Sequence, residues 1–338
     1  MAGDERKILM DLSEPDEVVR EALGKLDGDL LLLGAGGKIG LSLALMAKRA
    51  LNQLGAPHRV IAVSRFSNTQ LLKAFGADEI DTVIADLADP EALAQVPDAD
   101  AVIFLAGTKF GTTESPGHTW MLNTFMPGLV AKRWMQSRFV VFSSGNVYGL
   151  TPPTSGGPTE AAAPEPVGEY AHTVLGRERI FDHFSRVHGT KISTIRLNYA
   201  NEPRSGPIVD LALKIRAGES IDLTMGYLNL IWQSDCNRVT FQCLGIAASP
   251  PRVINVAGPQ VSVRQLAVKL GRRLGIEPQL TGQEADTALL NNGADGWQTF
   301  GPPKVNIDEM IEKVSSWLEA GGHTWHRPTH FEVRDGRY

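Results

Sequence analysis

The chain has few cysteines and no long apolar run. Its 338 residues include two cysteines, Cys236 and Cys243, whose spacing is unlike that of a CxxC redox or zinc pair. We therefore expect reduced thiols and a cytoplasmic protein. No apolar run approaches the roughly 20 residues that a membrane-spanning helix needs. The opening residues, MAGDERKILMD, have neither the apolar region nor the small-residue cleavage site of a secretory signal.

The chain also lacks an excess of positive charge. It carries 33 lysines and arginines against 38 aspartates and glutamates, a formal net charge of −5. This balance gives no electrostatic reason to expect nucleic acid or an acidic membrane as a partner. A hydrophobic content of 43% is ordinary for a soluble globular protein, and the length suits one large or two medium domains.

A glycine-rich turn follows the first apolar stretch. Residues 29–40 read DLLLLGAGGKIG, and four consecutive leucines are typical of a parallel strand covered on both faces. Gly34 permits a tight turn, Gly37 lets a pyrophosphate approach the backbone, and Gly40 allows close packing of the next helix. The amides that open this helix near Lys38 then face the phosphates. A plain tight turn is the alternative, but the flanking strand and helix favour dinucleotide binding. The cofactor-binding residues predicted here are Gly34, Gly37, Lys38, Ile39 and Gly40.

Strand and helix patterns alternate from Asp29 onward. Ahead of them, Ser13-Glu14-Pro15-Asp16 caps a short amphipathic helix that reaches about Lys25. The alternation favours an α/β fold, a doubly wound parallel sheet of the Rossmann type with a smaller mixed C-terminal substrate lobe. Strands are predicted near 29–34, 59–64, 80–85, 100–106, 139–143, 191–197 and 252–257. The predicted domains are a helical arm over 1–28, a dinucleotide-binding domain over 29–198 and 229–257, and a substrate lobe over 199–228 and 258–338.

Further motifs follow the glycine turn in order along the chain. They are Asp86-Leu87 at the end of the third strand, FLAGTK over 104–109, Asn123, FSSGNVYG over 142–149, and Tyr170 with Glu178 eight residues later. Together these residues resemble the motifs of the extended short-chain dehydrogenase/reductase family, in the branch that contains nucleotide-sugar epimerases and dehydratases. The resemblance covers residues 29 to about 320.

The resemblance implies a role for each motif. Ser144 and Tyr170 would be the catalytic serine and tyrosine, and Asn123 would stabilise the central strands. Tyr170 and Asn123 would also lie beside the cofactor. The other residues that the resemblance places at the cofactor are Asp86 and Leu87 at the adenine, and Ala106, Gly107 and Lys109, of which the lysine lies near the phosphates.

The end of the second strand bears on the choice of cofactor. An acidic residue there would accept hydrogen bonds from the adenine ribose and select NAD. This chain has Ser64-Arg65 instead. Arg65 can pair with a 2′-phosphate, and Ser64 leaves room for it, so we expect NADP, with NAD as the alternative. The other interpretation of Arg65 is a solvated residue at the end of a strand.

Tyr170-Ala-His-Thr-Val174 departs from the family pattern, which has a lysine four residues after the tyrosine. Val174 can neither lower the pKa of the phenol nor hold a ribose, so Tyr170 is expected to donate a proton rather than remove one. His172 is the candidate catalytic cation in its place, although a helix directs it elsewhere. Arg177 shares the face of Tyr170 but lies two turns away. The alternative for both His172 and Arg177 is that they are ordinary helix residues without a catalytic role.

Two further departures concern the substrate. Gly145 and Asn146 occupy the positions where the sugar dehydratases carry an Asp-Glu acid–base pair, so elimination at these positions is rejected. Leu228 stands where nucleotide-sugar enzymes have an arginine that clamps the diphosphate, and Tyr199 replaces an asparagine. Because burying a diphosphate without that charge is costly, a nucleoside diphosphate is not expected in the pocket.

Two weaker constellations remain. His118 and Glu114 follow the fourth strand in a loop that borders the substrate in this fold, and they are either acid–base groups or solvated residues. The tail has three histidines, His323, His326 and His330, but Pro328 interrupts any helix that could align them. A surface flap is favoured over zinc, and we expect no metal.

The leading hypothesis is an NADP-dependent oxidoreductase or epimerase that acts on a small polyhydroxylated substrate, a free sugar or sugar acid. The alternative is a non-catalytic dinucleotide-binding sensor or complex subunit. It is kept because the cofactor-binding motifs are complete, whereas the catalytic motifs lack the lysine at Val174. A third hypothesis is a nucleotide-sugar epimerase with relocated groups. A homodimer is the expected assembly.

Overall fold

The computed structural model describes residues 3–338, with side chains from Glu5 onward. The chain divides into two compact units. The first runs to Ser144 and includes Glu169–Ile195 and Asn237–Ile254. The second comprises Gly145–Gly168, Arg196–Cys236 and Asn255–Tyr338. The helical arm thus belongs to the first unit, and the loop after Ser144 belongs to the second. The domain boundaries predicted from the sequence stay a prediction.

Thirteen strands are found among the described residues. They are β1 (Leu30–Leu33), β2 (Val60–Ser64), β3 (Asp81–Ile84), β4 (Ala101–Phe104), β5 (Arg138–Ser144), β6 (Ile192–Leu197), β7 (Ala200–Asn201), β8 (Ser220–Asp222), β9 (Tyr227–Asn229), β10 (Ile231–Trp232), β11 (Arg252–Val256), β12 (Gln260–Ser262) and β13 (Gln279–Thr281).

Thirteen α-helices connect or follow these strands in the described part of the chain. They are α1 (Gly3–Leu12), α2 (Glu17–Leu23), α3 (Gly40–Leu54), α4 (Thr69–Ala77), α5 (Pro90–Ala94), α6 (Pro116–Trp120), α7 (Met126–Arg133), α8 (Gly168–His188), α9 (Pro207–Ala217), α10 (Gln233–Cys243), α11 (Val263–Leu274), α12 (Ala294–Phe300) and α13 (Ile307–Glu319).

One seven-stranded sheet has the order β11-β6-β5-β4-β1-β2-β3. The pairs from β5 to β3 are parallel, with Leu30 beside both Val60 and Ala101. This strand order is that of a doubly wound Rossmann-like fold. The chain starts at the central β1, proceeds to β2 and β3 on one side, and then returns to β4 on the other side of β1. The predicted fold class and all seven predicted strands of this sheet are confirmed.

The sheet is covered on both faces because its central strands are apolar throughout. All four leucines of β1 are fully buried. Leu31 and Leu33 belong to a core cluster with Val102, Phe104 and residues of β2 and β5. Phe181 of α8 packs on Phe104 and Phe139 with ring centroids 5.5 and 5.3 Å apart. This packing holds α8 against β4 and β5.

Smaller sheets lie outside the large one. In the second unit β9 pairs with β12 in antiparallel register, so that Leu228 lies opposite Val261. The pairs β10–β7 and β13–β8 are parallel. The C-terminal part, which we expected to be smaller and mixed, therefore consists of short two-stranded sheets and helices rather than one sheet.

Two local expectations need adjustment. The predicted first helix is present as α2, capped by Asp16, but α1 ahead of it was not anticipated. The helix after the glycine turn begins at Gly40 rather than near Lys38. No helix within residues 3–338 combines the length and apolar content that crossing a membrane requires.

Candidate functional site

The glycine turn between β1 and α3 is held by backbone contacts. The amides of Gly34 and Ala35 both donate to Val63 O, at 2.8 and 3.1 Å. Gly34 adopts a φ of +87°, and a Cβ there would lie 2.5 Å from the amide nitrogen of Ala106. A Cβ on Gly40 would overlap the carbonyl of Ala35. Both glycines are therefore required by the fold itself.

Gly37 differs from these two glycines. A Cβ there would meet only Gly34 O, at an ordinary 3.6 Å, and the residue is exposed. The protein alone does not require glycine at this position, whereas a pyrophosphate lying on the backbone would. The N-cap residue of α3, Ile39, makes no side-chain hydrogen bond to the helix amides. Lys38 and Ile39 are partly buried at this helix opening. These features fit a dinucleotide.

Gly36 was missed by the sequence interpretation. A Cβ on Gly36 would lie 2.5 Å from the Ser64 hydroxyl, so the turn packs against the end of β2. Two consecutive glycines, Gly36 and Gly37, were the sequence pattern that could have indicated this close packing. Ser64 is partly buried, and Arg65 is exposed and makes no ion pair within residues 3–338. The next residue, Phe66, is buried in the left-handed region at φ +44° and packs on Phe75.

The end of β3 is fixed by a local turn. The Asp86 carboxylate accepts a hydrogen bond from the amide of Ala88 at 3.0 Å while remaining exposed. Leu87 points into the core. An exposed carboxylate beside a buried aliphatic side chain fits the adenine end of a dinucleotide site, as the resemblance implied.

The loop after β4 is held by Asn123, which is fully buried. Its Oδ1 accepts from the Thr108 amide and its Nδ2 donates to Thr108 O, both at 2.8 Å. The same Nδ2 donates to Thr173 Oγ1 of α8 at 3.0 Å. Asn123 therefore joins the loop carrying Gly107 and Lys109 to α8. Lys109 is partly buried, with its ammonium 5.7 Å from the Phe110 ring.

Asn123 lies in a π-helical turn, Met121–Phe125, between α6 and α7. Pro127 has no amide hydrogen, so it cannot donate to the carbonyl of Asn123 four residues earlier. The Met126 amide donates instead to Met121 O, five residues back. The Asn123 carbonyl is thereby released, and it accepts from Arg177 Nε at 3.4 Å.

The end of β5 and the first turns of α8 are joined by three successive links. The Tyr170 hydroxyl is hydrogen-bonded to the Ser144 side chain. The Ser143 hydroxyl donates to Glu178 Oε1 at 2.5 Å. Arg177 Nη1 donates to Phe142 O at 2.7 Å. The structure therefore brings together Ser144 and Tyr170, the two residues that the motifs single out as catalytic.

Tyr170 is protonated at neutral pH. Burial raises the pKa of its phenol above the ordinary value of about 10, against the opposing effects of the Arg177 charge and the Ser144 hydrogen bond. Val174, one turn further along α8, is buried and apolar. Burial also lowers the pKa of Arg177 to about 10, so this guanidinium keeps its charge at neutral pH.

The histidines and glutamates considered as acid–base groups are on the surface. His172 is exposed on α8, and His118 and Glu114 are exposed beyond β4. Glu169, beside Tyr170, accepts a hydrogen bond from Trp120 Nε1 at 2.8 Å. The role of His172 stays a prediction.

The second unit carries the residues that follow Ser144 in the chain. Gly145 packs directly on the Asn291 side chain, which a Cβ would overlap. Asn146 Nδ2 donates to the Tyr338 hydroxyl at 2.6 Å, across 192 residues. Gly168 at φ +80° lies against the backbone of Gly336. Sequence reasoning did not anticipate Asn291 or Tyr338, and no local pattern marks either residue.

The tail is anchored near Tyr338 by Arg334. Its Nη1 donates to Thr287 O at 2.6 Å and its Nη2 donates to Thr287 Oγ1 at 2.7 Å. Earlier in the tail, His326 and His330 have positive φ angles of +48° and +51°. Within the described residues, no group of three or more His, Cys, Asp or Glu side chains is placed to hold a metal ion.

Leu228 and Tyr199, the two positions that bear on the substrate, also lie in the second unit. Leu228 is buried within β9, and Tyr199 has a left-handed φ of +40°. Asn201 Nδ2 donates to Tyr199 O at 2.7 Å, which holds the backbone in this conformation. The buried leucine provides no charge for a diphosphate.

Comparisons with known proteins agree with this geometry. The NAD dependent epimerase/dehydratase family matches residues 30–221. MoeE5, solved in complex with UDP-glucuronic acid and NAD, is 20% identical over 87% of this chain and 100% of its own, with a TM-score of 0.70. UDP-glucuronic acid 4-epimerase from Bacillus cereus, solved with UDP-glucuronic acid and NAD, is 18% identical over 86% and 99%, with a TM-score of 0.72. Pal from Bacillus thuringiensis is 16% identical over 86% and 99%, with a TM-score of 0.71. No curated protein sequence matches the chain.

Proposed function

We propose a function from one premise: the chain belongs to the NAD dependent epimerase/dehydratase family, which matches it over residues 30–221. The protein is an oxidoreductase or epimerase that uses a nicotinamide dinucleotide on a small polyhydroxylated substrate, a free sugar or sugar acid. The observation that carries this proposal is the hydrogen bond between Tyr170 and Ser144 at the end of β5, two strands from the glycine turn. A proton donor and an oxygen-binding hydroxyl thus lie at the strand ends where this fold binds its ligands.

The cofactor would be held by residues of the first unit. Gly37 and the opening amides of α3 would receive the pyrophosphate, and Asp86 and Leu87 the adenine. The segment Ala106–Lys109, fixed by Asn123, would border the dinucleotide at β4. Arg65 is exposed and free of ion pairs within the described residues, which supports NADP because a 2′-phosphate would supply the missing anion.

The chemistry of the side chains follows from their protonation. When bound, the nicotinamide ring exchanges a hydride with a carbon of the substrate. Tyr170 is protonated at neutral pH and donates its proton to the substrate carbonyl oxygen, while Ser144 hydrogen-bonds the same oxygen. Reduction is therefore the favoured direction near pH 7, since a protonated phenol is a poor base.

The substrate class rests on the second unit. Leu228 is buried and uncharged where the resemblance implied a diphosphate clamp. Asn146 and the Tyr338 hydroxyl bonded to it are neutral donors and acceptors of this unit. Neutral hydrogen-bonding groups suit hydroxyl-rich substrates better than diphosphates.

A nucleotide-sugar epimerase is the second candidate. It is favoured by the solved structures of the same fold that hold UDP-sugars and NAD. In that case another cation of the second unit would have to bind the diphosphate, and micromolar binding of a UDP-sugar would reveal it. The expected homodimer and cytoplasmic location stay predictions.

The test is turnover with defined substrates. NADPH oxidation is followed with a panel of keto-sugars and keto-acids of sugars, and NADP reduction with the corresponding aldoses and sugar acids. Tyr170→Phe is expected to lower turnover by about 10²–10⁴-fold, the usual contribution of a general acid. Its cofactor affinity, measured by fluorescence, is expected to stay near that of the wild type. Full activity of Tyr170→Phe would mean that another residue is the general acid. If no substrate of the panel is turned over, the non-catalytic alternative is favoured.

A further inference from the structure

The proposed chemistry gives no role to the buried charge of Arg177. Arg177 is 6% exposed, and its guanidinium lies over the Phe104 ring at 5.4 Å. Its three hydrogen bonds all go to neutral carbonyl oxygens, those of Phe142, the Asn123 backbone and the Asn123 side chain. No carboxylate of the described residues forms an ion pair with it. A buried cation that no carboxylate contacts directly is costly even with the Glu178 charge nearby, so its retention calls for an explanation.

Several features of the first unit hold this cation in place. Arg177 Nη2 donates to Asn123 Oδ1 at 3.1 Å and packs on Gly107, where any Cβ would overlap it. The Asn123 carbonyl is available because Pro127 cannot bond to it. The arginine therefore occupies a space that is closed by α8, by β4 and the loop after it, by β5 and by the π-helical turn.

The position of Arg177 relates it to Tyr170. The two residues are seven apart on α8, two turns along the same face, and they interact electrostatically. Arg177 holds the carbonyl of Phe142, and Ser144, two residues further along β5, holds the Tyr170 hydroxyl. Val174, between them on the helix face, brings no charge.

We propose that Arg177 is the cation of this site, and that it stabilises the negative charge that forms on the Tyr170 oxygen when the hydroxyl gives up its proton. The inference rests on the proposed role of Tyr170 as proton donor. The phenol O–H bond breaks, the proton goes to the substrate oxygen, and the charge left on the phenolate is balanced by the guanidinium. Arg177 is a positioning residue, because it acts through Tyr170 and not on the substrate.

Other titratable groups near Tyr170 are engaged or exposed. Glu178 also acts on Arg177 and accepts from Ser143. Glu169 accepts from Trp120, and His172 and His118 are exposed. Lys109 lies in the loop after β4, beside Phe110. Arg177 is the buried cation on the α8 face of Tyr170, and its charge lowers the pKa of the phenol against the effect of burial.

The experiment measures the proton affinity of Tyr170 directly and needs no substrate. The chain has five tyrosines, so ¹³Cζ-tyrosine NMR resolves them, and Tyr170→Phe assigns the resonance. Arg177→Gln is expected to raise the titration midpoint by about one pH unit or more, a tenfold change in proton affinity. Arg177→Lys is expected to keep the wild-type midpoint within about half a unit. Arg179→Gln, at an exposed position of the same helix, is the matched control and is expected to change nothing.

A second measurement uses the folded wild type, in case Arg177→Gln does not fold. Besides any step from the arginine's own pKa of about 10, the ¹⁵N guanidinium resonances of Arg177 are expected to show a step at the midpoint of the Tyr170 ring carbon, and to lose that second step in Tyr170→Phe. Adding Val174→Lys to Arg177→Gln is expected to bring the midpoint back down towards the wild-type value. An unchanged midpoint in Arg177→Gln, or an Arg177 resonance that does not follow Tyr170, would overturn the inference. Neither result depends on turnover, so a failure of the proposed function is recognised separately by the substrate panel.

Discussion

Replacing Gly37 by alanine separates the two reasons for which the turn after β1 contains glycine. A Cβ at Gly37 would make one ordinary contact, 3.6 Å from Gly34 O, and its φ lies outside the left-handed region. The folded protein therefore accommodates alanine without strain. Because alanine has less conformational freedom than glycine in the unfolded chain, we expect the free energy of unfolding to rise by about 0.4–1 kcal/mol.

The effect on the cofactor is expected to be opposite. The added methyl group would occupy the space through which the pyrophosphate approaches the backbone amides at the start of α3. Losing one hydrogen bond to a charged group costs about 1.5–3 kcal/mol, which is a 10- to 150-fold rise in the dissociation constant of NADPH. Gly40→Ala is the matched control, because its Cβ would overlap the Ala35 carbonyl in the protein itself. Overpacking of this kind costs about 1–3 kcal/mol of stability.

Urea unfolding of the cofactor-free variants and NADPH fluorescence titration measure the two effects separately. The expected pattern is a stable Gly37→Ala that binds weakly, and a Gly40→Ala that is destabilised. A Gly37→Ala variant that binds NADPH as tightly as the wild type would refute the placement of the pyrophosphate at this turn. A variant that is as unstable as Gly40→Ala would refute the claim that the protein leaves this space open.

Four further outcomes are expected. Arg65→Ala should weaken NADP(H) by about 1.5–3 kcal/mol with little change for NAD(H), and equal weakening in calorimetry would contradict the 2′-phosphate contact. UDP- and dTDP-sugars should bind poorly in calorimetry because Leu228 is uncharged, and micromolar binding would end the free-sugar proposal. Since burial raises the pKa of Tyr170, pH–rate profiles should show reduction exceeding oxidation near pH 7, with oxidation recovering only at about pH 10 or above; equal rates at pH 7 would contradict a neutral acid. Tyr338→Phe should raise KM several-fold with kcat and NADPH affinity unchanged, whereas a loss of stability alone would assign Tyr338 to the fold.

Much of the fold could be predicted from the sequence because its determinants are local. Four leucines before Gly34 specify a strand buried on both faces, and the alternating patterns after it specify the parallel sheet. The motif spacing also placed Ser144 and Tyr170 in one site, since the end of a strand and the start of the next helix meet at the same edge of the sheet. Their hydrogen bond agrees with that expectation.

Other features depended on how elements pack. The sequence showed that Val174 cannot replace a lysine, but it offered His172 and Arg177 without a means to choose between them. The docking of α8 on β5 and on the π-helical turn leaves His172 exposed and buries Arg177 against Asn123 and Phe142. This placement supports the proposal for Arg177, while the role of His172 stays a prediction.

By itself, the sequence determined the class of fold and the glycine turn, and it predicted Ser144 and Tyr170 as the catalytic pair, because each depends on residues close together in the chain. Only the tertiary structure decided that Arg177 is buried against Asn123 and Phe142 and that Tyr338 meets Asn146. The carbonyls that hold Arg177 belong to residues 35 and 54 positions away, and Tyr338 reaches Asn146 across 192 positions. Contacts over such separations are set by the packing of whole elements, which no local pattern of residues records.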